Sequence, residues 1–155
     1  MNNFKVIIVE DVPLELKGTE GIIRNDIPEA EVIGTANNEA EYWRIIRDNQ
    51  PDLVLLDLGL GGSTTVGVDI CRHTKESYPA VKVLIFTGEI LNEKLWVDVL
   101  DAGADGIILK SGELLTRGDV RSVMEGKTMV FNEPILRRIV ERFKLSVNRE
   151  LTNQE

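Results

Sequence analysis

Pro51-Asp52-Leu53-Val54-Leu55-Leu56-Asp57-Leu58-Gly59 decides the reading of this chain. Four apolar residues follow one another without alternation, and a carboxylate ends the run. An uninterrupted run of this length suits a strand buried on both faces, as in a parallel sheet. Moving outward, similar runs recur at Val6-Ile7-Ile8-Val9, Val32-Ile33, Val83-Leu84-Ile85-Phe86 and Ile107-Ile108-Leu109. The stretches between them read as helices. Leu14 to Asn25 follows Pro13, which suits a first helical turn. Glu39 to Asn49 follows a capping Asn38 and stops before Pro51. Val66 to Tyr78 stops before Pro79, and Asn92 to Ala102 stops at Gly103. The expected fold is α/β: a doubly wound, five-stranded parallel sheet of order 2-1-3-4-5, with helices on both faces.

In such sheets a ligand sits beyond the carboxyl ends of the strands, where the strand order reverses. Strand 1 ends in Glu10-Asp11, strand 3 in Asp57, strand 4 in Thr87 and strand 5 in Lys110. The order puts strand 3 between strands 1 and 4, so Asp57 should lie between the acidic pair and Thr87, with Lys110 reaching in. Clustered carboxylates repel, and a hard divalent cation such as Mg²⁺ relieves the repulsion through oxygen ligands. A carboxylate can also attack phosphorus and become an acyl phosphate. Such a transfer needs charge neutralisation and alignment, which Lys110 and the Thr87 hydroxyl can supply.

At these residues the chain resembles the CheY-like receiver domain of bacterial two-component response regulators. The ordered set Glu10-Asp11, Asp57, Thr87, Lys110 carries the resemblance over about 125 residues, together with the motif around Asp57 and Ala102-Gly103-Ala104-Asp105-Gly106-Ile107-Ile108-Leu109-Lys110. The resemblance implies that Asp57 accepts a phosphoryl group from a sensor histidine kinase or a small donor such as acetyl phosphate. It implies that Asp11 ligates Mg²⁺ directly, that Glu10 supports it, and that Asp57 and the Gly59 backbone carbonyl complete the protein's share of the metal shell. Thr87 and Lys110 would bind the phosphoryl group. Such a chain catalyses its own modification and is not an enzyme in the usual sense.

Departures from that family's pattern are local. Gly61 stands where receivers usually have proline, and Gly67 comes about two residues late. The segment Gly59 to Gly67 is therefore expected to be longer and more mobile. Lys110-Ser111 replaces the usual Lys-Pro, a variant of the NarL/FixJ-type branch. Ile107 occupies the position of the switch aromatic. These departures leave a second reading open: a degenerate pseudo-receiver that binds partners without being phosphorylated. A flavodoxin-like carrier would want a phosphate loop after strand 1, and a phosphatase would want an acid at Gly59.

Composition bounds the rest. The chain has 155 residues, 43% hydrophobic and 28% charged, enough for one core and too few for two full domains. Its net charge of −8 makes it a poor direct ligand for DNA or an anionic membrane. No apolar run suits a membrane span, and the single Cys71 excludes an internal disulfide; a cytoplasmic location is the default. Cys71 and His73 read as ordinary helix residues, and Trp96 as core.

Residues 133–155 carry five basic and four acidic side chains, a reversal of the balance before them. Residues 1–126 are expected to form the receiver domain and 127–149 a linker whose helix, over 134–147, is amphipathic, with Ile135, Leu136, Ile139, Val140, Phe143 and Val147 at helical spacing. Leu151-Thr152-Asn153-Gln154-Glu155 resembles the opening of a LuxR-type helix-turn-helix, so residues 150–155 are read as the start of an output domain otherwise missing from the chain. DNA would then be reached only through that domain, with a homodimer as a further expected partnership and transcription regulation as the output.

Overall fold

The structure is a computed structural model and describes residues 2–88, 92–110, 115–127 and 130–153. Strands β1 (Phe4–Val9), β2 (Ala30–Ala36), β3 (Leu53–Leu56), β4 (Lys82–Thr87) and β5 (Gly106–Leu109) alternate with helices α1 (Pro13–Asp26), α2 (Glu39–Asp48), α3 (Thr64–Ser77), α4 (Glu93–Asp101) and α5 (Arg117–Met124). The strands pair in parallel in the expected order 2-1-3-4-5.

A sixth strand, β6 (Val130–Phe131), extends the sheet beyond β5. The sequence reading omitted it because two residues make no apolar run. It holds its place partly through a side chain. Asn132, buried, donates from Nδ2 to the Leu109 carbonyl at 3.1 Å, and its Oδ1 accepts from the Leu109 N–H at 3.3 Å. The amide group thus continues the ladder where the strand stops. Helix α6 (Glu133–Asn153) follows.

Alternation along the strands divides the core. Ile7, Val9, Val54, Leu56, Val83, Ile85 and Ile107 face the helical side that contributes Tyr42, Ile46, Ile70, Leu95 and Val99. Val6, Ile8, Leu53, Leu55, Leu84 and Ile108 face Ile23, Ile27, Val120 and Val123. So α2, α3 and α4 cover one face and α1 and α5 the other. Burial on both faces explains the unbroken apolar runs.

Local chemistry sets the helix starts. Pro13 opens α1. Asn38 and Asn92 accept from the Glu41 and Leu95 amides at 2.9 and 2.8 Å. Thr116 and Asp119 form a reciprocal capping box on α5. Cys71 is buried, and burial pushes its thiol up to about 12, which leaves it unreactive. His73 is exposed beside Trp43. Helix α6 is anchored by the fully buried Ile135 and then runs on with exposed residues. It continues without a break past residue 149, where the linker was expected to end. No helix among the described residues is long and apolar enough to cross a membrane.

Candidate functional site

The parallel register brings the strand ends level. Val9 pairs with Leu56, Leu56 with Ile85, and Thr87 with Leu109. Each functional residue sits at or next to one of these ends. The Asp57 N–H donates to the Val9 carbonyl at 3.0 Å and the Lys110 N–H to the Thr87 carbonyl at 2.8 Å, so the ladder itself fixes both backbones.

Asp57 is buried, with 8% of its surface exposed. Its Oδ1 accepts from the Thr87 hydroxyl at 2.8 Å and, at 3.3 Å, from the Gly59 N–H. Its Oδ2 lies 3.9 Å from Lys110 Nζ. That ammonium is closer to two other carboxylates, donating to Glu10 Oε2 at 2.9 Å and Glu15 Oε2 at 3.1 Å. It also stands 5.0 Å above the Phe86 ring, a cation–π contact. Glu10 is almost wholly buried and its Oε1 accepts from the Val12 N–H at 3.1 Å.

Oxygens of Glu10, Asp11 and Asp57 come within 4.8 Å of one another. Burial, with Asp57 alongside, pushes the Glu10 carboxyl up to about 8 against the opposing pull of Lys110. Burial works to lower the Lys110 pKa, but Glu10, Asp57 and Glu15 outweigh it and the ammonium is held above its ordinary value. The site thus carries surplus negative charge that one lysine does not balance.

A divalent cation fits this arrangement. Asp11 Oδ1 is buried without a hydrogen-bond partner among the described residues, a costly state for a carboxylate oxygen. Its other oxygen, Oδ2, accepts from the Gly61 N–H at 2.9 Å. An all-oxygen, carboxylate-rich donor set of this kind suits Mg²⁺.

The segment after Asp57 contains a closed turn. Leu60 and Ser63 form an antiparallel bridge around Gly61 and Gly62, whose φ angles are +59° and +76°. Both positions lie where side chains are disfavoured and glycine is not, the requirement of a tight two-residue turn. Leu58 and Leu60 are buried and pin the turn from below. Proline at 61 would have had neither the φ angle nor the N–H that reaches Asp11.

The structure therefore brings Glu10, Asp11, Asp57, Thr87 and Lys110 together, with Gly59 beside them. Ser111 lies outside the described residues. Sequence reasoning missed Glu15, Phe86 and the Gly61 N–H. Glu15 was legible as an acid one helical turn beyond Asp11, but the first turn of α1 favours acids for its own sake.

The response regulator receiver domain family profile matches residues 6–116. The chain is similar to the DNA-binding transcriptional activator DevR/DosR of Mycobacterium tuberculosis, 30% identical over 130 residues, covering 83% of this chain and 58% of that protein. It is similar to the oxygen regulatory protein NreC of Staphylococcus epidermidis, 32% identical over 128 residues, covering 81% and 57%. A solved two-component response regulator of the LuxR family from Aurantimonas superposes with a TM-score of 0.78 at 26% identity, covering 91% of this chain and 98% of that one. The chain thus spans less than two thirds of the length of the two curated relatives.

Proposed function

The chain belongs to the response regulator receiver domain family, and from that premise we propose that it relays a signal by taking a phosphoryl group on Asp57. One observation carries the reading. The Asp57 carboxylate has the Thr87 hydroxyl at 2.8 Å on one oxygen and Lys110 Nζ at 3.9 Å from the other, beside the Glu10–Asp11 pair. These groups serve phosphoryl transfer better than they serve a binding-only module.

In this reading an Asp57 oxygen attacks phosphorus of a phosphohistidine on a sensor kinase. The new O–P bond forms as the P–N bond breaks, and the imidazole leaves with the electron pair and gains a proton. With acetyl phosphate the bond broken is P–O and acetate leaves. Mg²⁺, held by Asp11, Asp57 and the Gly59 carbonyl with Glu10 in support, would neutralise phosphoryl charge. Thr87 turns its hydroxyl from Asp57 Oδ1 to a phosphoryl oxygen, and Lys110 closes its 3.9 Å gap to another. Water later hydrolyses the acyl phosphate, so the chain modifies itself and turns over no other substrate.

The relatives' names support a transcriptional output. We read residues 127–149 as the linker and 150–155 as its junction with a helix-turn-helix domain, the only route to DNA for so acidic a chain. A second copy of the chain is a further partner: α6 leaves Leu136, Val140, Phe143, Val147 and Leu151 exposed along one stripe. The setting is the cytoplasm, where sensor kinases present their phosphohistidines.

Incubation with acetyl phosphate and Mg²⁺ should add one phosphoryl group by mass, labile to hydroxylamine and absent in Asp57→Asn. An unchanged mass at saturating donor would transfer the case to the pseudo-receiver.

A further inference from the structure

Lys110 is the cation the phosphoryl group needs, yet the ammonium is not on Asp57. Its two short contacts are Glu10 Oε2 at 2.9 Å and Glu15 Oε2 at 3.1 Å, while Asp57 Oδ2 is at 3.9 Å. An ammonium has three N–H donors. One goes to Glu10 inside the site and one to Glu15 at its rim. The two acids differ in exposure. The Glu10 side chain is 3% exposed and sits with the metal-binding carboxylates, whereas the Glu15 side chain is 48% exposed and belongs to the first turn of α1.

We infer that Glu15 is a positioning residue that tethers Lys110 in the unmodified state and competes with the incoming phosphoryl group for it. The inference rests on Asp57 being the phosphoacceptor. Among the described residues Glu15 touches Lys110 and neither Asp57 nor the metal-binding acids, so it acts through Lys110. The third N–H is the one left for a phosphoryl oxygen, and Glu15 at the rim restrains the shift of Nζ toward Asp57 that this contact needs. The tether therefore opposes the transfer and slows it. Its size follows from its exposure. A half-exposed ion pair changes a rate by about two- to fivefold, not by orders of magnitude. Glu15 thus sets how readily the site charges without being part of its chemistry.

An ordinary role for Glu15 would be to complement the dipole at the start of α1. The two roles separate on side-chain length. Glu15→Asp keeps the charge at the helix start but is one methylene too short to hold Lys110 in the observed geometry. Glu15→Gln loses the charge and keeps the length.

The test is the rate of phosphorylation of the full chain by acetyl phosphate with Mg²⁺, followed by intact mass across donor concentrations. Both Glu15→Gln and Glu15→Asp should raise the maximal rate about two- to fivefold with little change in the half-saturating donor concentration. In a Lys110→Gln background the same substitutions should change nothing. Equal maximal rates in wild type and Glu15→Gln would overturn the inference. So would acceleration confined to the half-saturating concentration, which would mean simple repulsion of an anionic donor, or acceleration that survives in Lys110→Gln. A wild-type chain that takes up no phosphoryl group at all would instead overturn the phosphoacceptor reading.

Discussion

Thr87 Oγ1 donates to Asp57 Oδ1 across 2.8 Å in the unmodified protein. The hydroxyl is therefore already turned toward the acceptor, and Thr87 is fully buried at the end of β4. Along the adjoining strand, Ile107 is also fully buried, paired with Ile85 on β4 and Phe131 on β6. An aromatic side chain, Phe131, stands one strand further out, on β6 beside Ile107. The Phe131 ring faces Trp96 of α4, with centroids 6.3 Å apart. The short sixth strand thus supplies a ring beside a position that has none.

Asp11 should dominate metal affinity. Its Oδ1 is buried without a partner among the described residues, and its Oδ2 is already engaged by the Gly61 N–H. Asp11→Ala is expected to weaken Mg²⁺ binding by about tenfold or more, because it removes a charged oxygen ligand. Glu10→Gln should do less, since Glu10 is partly neutralised by Lys110. Titration followed by tryptophan fluorescence or calorimetry measures both. Equal affinities for wild type and Asp11→Ala would refute the ligand assignment.

The pH dependence of metal binding follows from Glu10. Its carboxyl ordinarily titrates near 4.5, and burial with Asp57 raises it to about 8. A cation favours the ionised form, so apparent Mg²⁺ affinity should climb as pH rises toward 8 and level off above it. Stability without metal has the opposite sign. Between about 4.5 and 8 the folded chain holds a proton that the unfolded chain has released, so unfolding free energy falls as pH rises through that window. Glu10→Gln should flatten both curves. A metal affinity flat from pH 6 to 9 in wild type would contradict the shift.

Gly67 ties the turn to the helix behind it. A Cβ there would meet Leu58 Cα and the Leu58 carbonyl oxygen, both at 2.7 Å. These are backbone atoms next to the acceptor and cannot step aside cheaply. Gly67→Ala should cost about 1–3 kcal/mol in urea unfolding and slow phosphorylation by displacing Asp57. Gly18→Ala is the control, because nothing lies within 4 Å of its added Cβ. Similar behaviour of the two variants would show that the close approach is relaxed in solution.

The strand order and the five-residue site were legible because each rests on a coarse signal. Unbroken apolar runs report two-sided burial, and strand-end polar residues report the switch point of the sheet. What escaped was set by three-dimensional detail. Asn132 replaces a missing stretch of ladder with one side chain, which no periodicity announces. Glu15 looks like any acid in a first helical turn until Lys110 is found beside it. Glycine content shows that the Gly59–Gly67 segment can turn, but not which turn it makes. Here Gly61 and Gly62 make a specific turn, and Leu58 and Leu60 are buried beneath it.

The remaining prediction concerns how charging of Asp57 is felt elsewhere. A phosphoryl group can shift conformation only by interacting differently with two states. Thr87 is already directed at Asp57, and Ile107 is β-branched, fully buried and flanked by Ile85 and Phe131. Thr87 need only turn its hydroxyl to a phosphoryl oxygen, and the β-branched Ile107 has few χ1 states to move between. The parts that must change are Lys110, which has to cross from 3.9 Å to contact, and the turn that reaches Asp11 through the Gly61 N–H. Beryllofluoride, a phosphoryl mimic, should therefore move the amide resonances of Gly59, Gly61 and Gly62 and the Lys110 ammonium most. The Ile107 methyl resonances should stay nearly fixed, and the Trp96 indole should shift only slightly through Phe131. Large Ile107 methyl shifts with a silent Gly61 amide would show that the signal leaves through β5 after all, and that the buried isoleucine has a second packing.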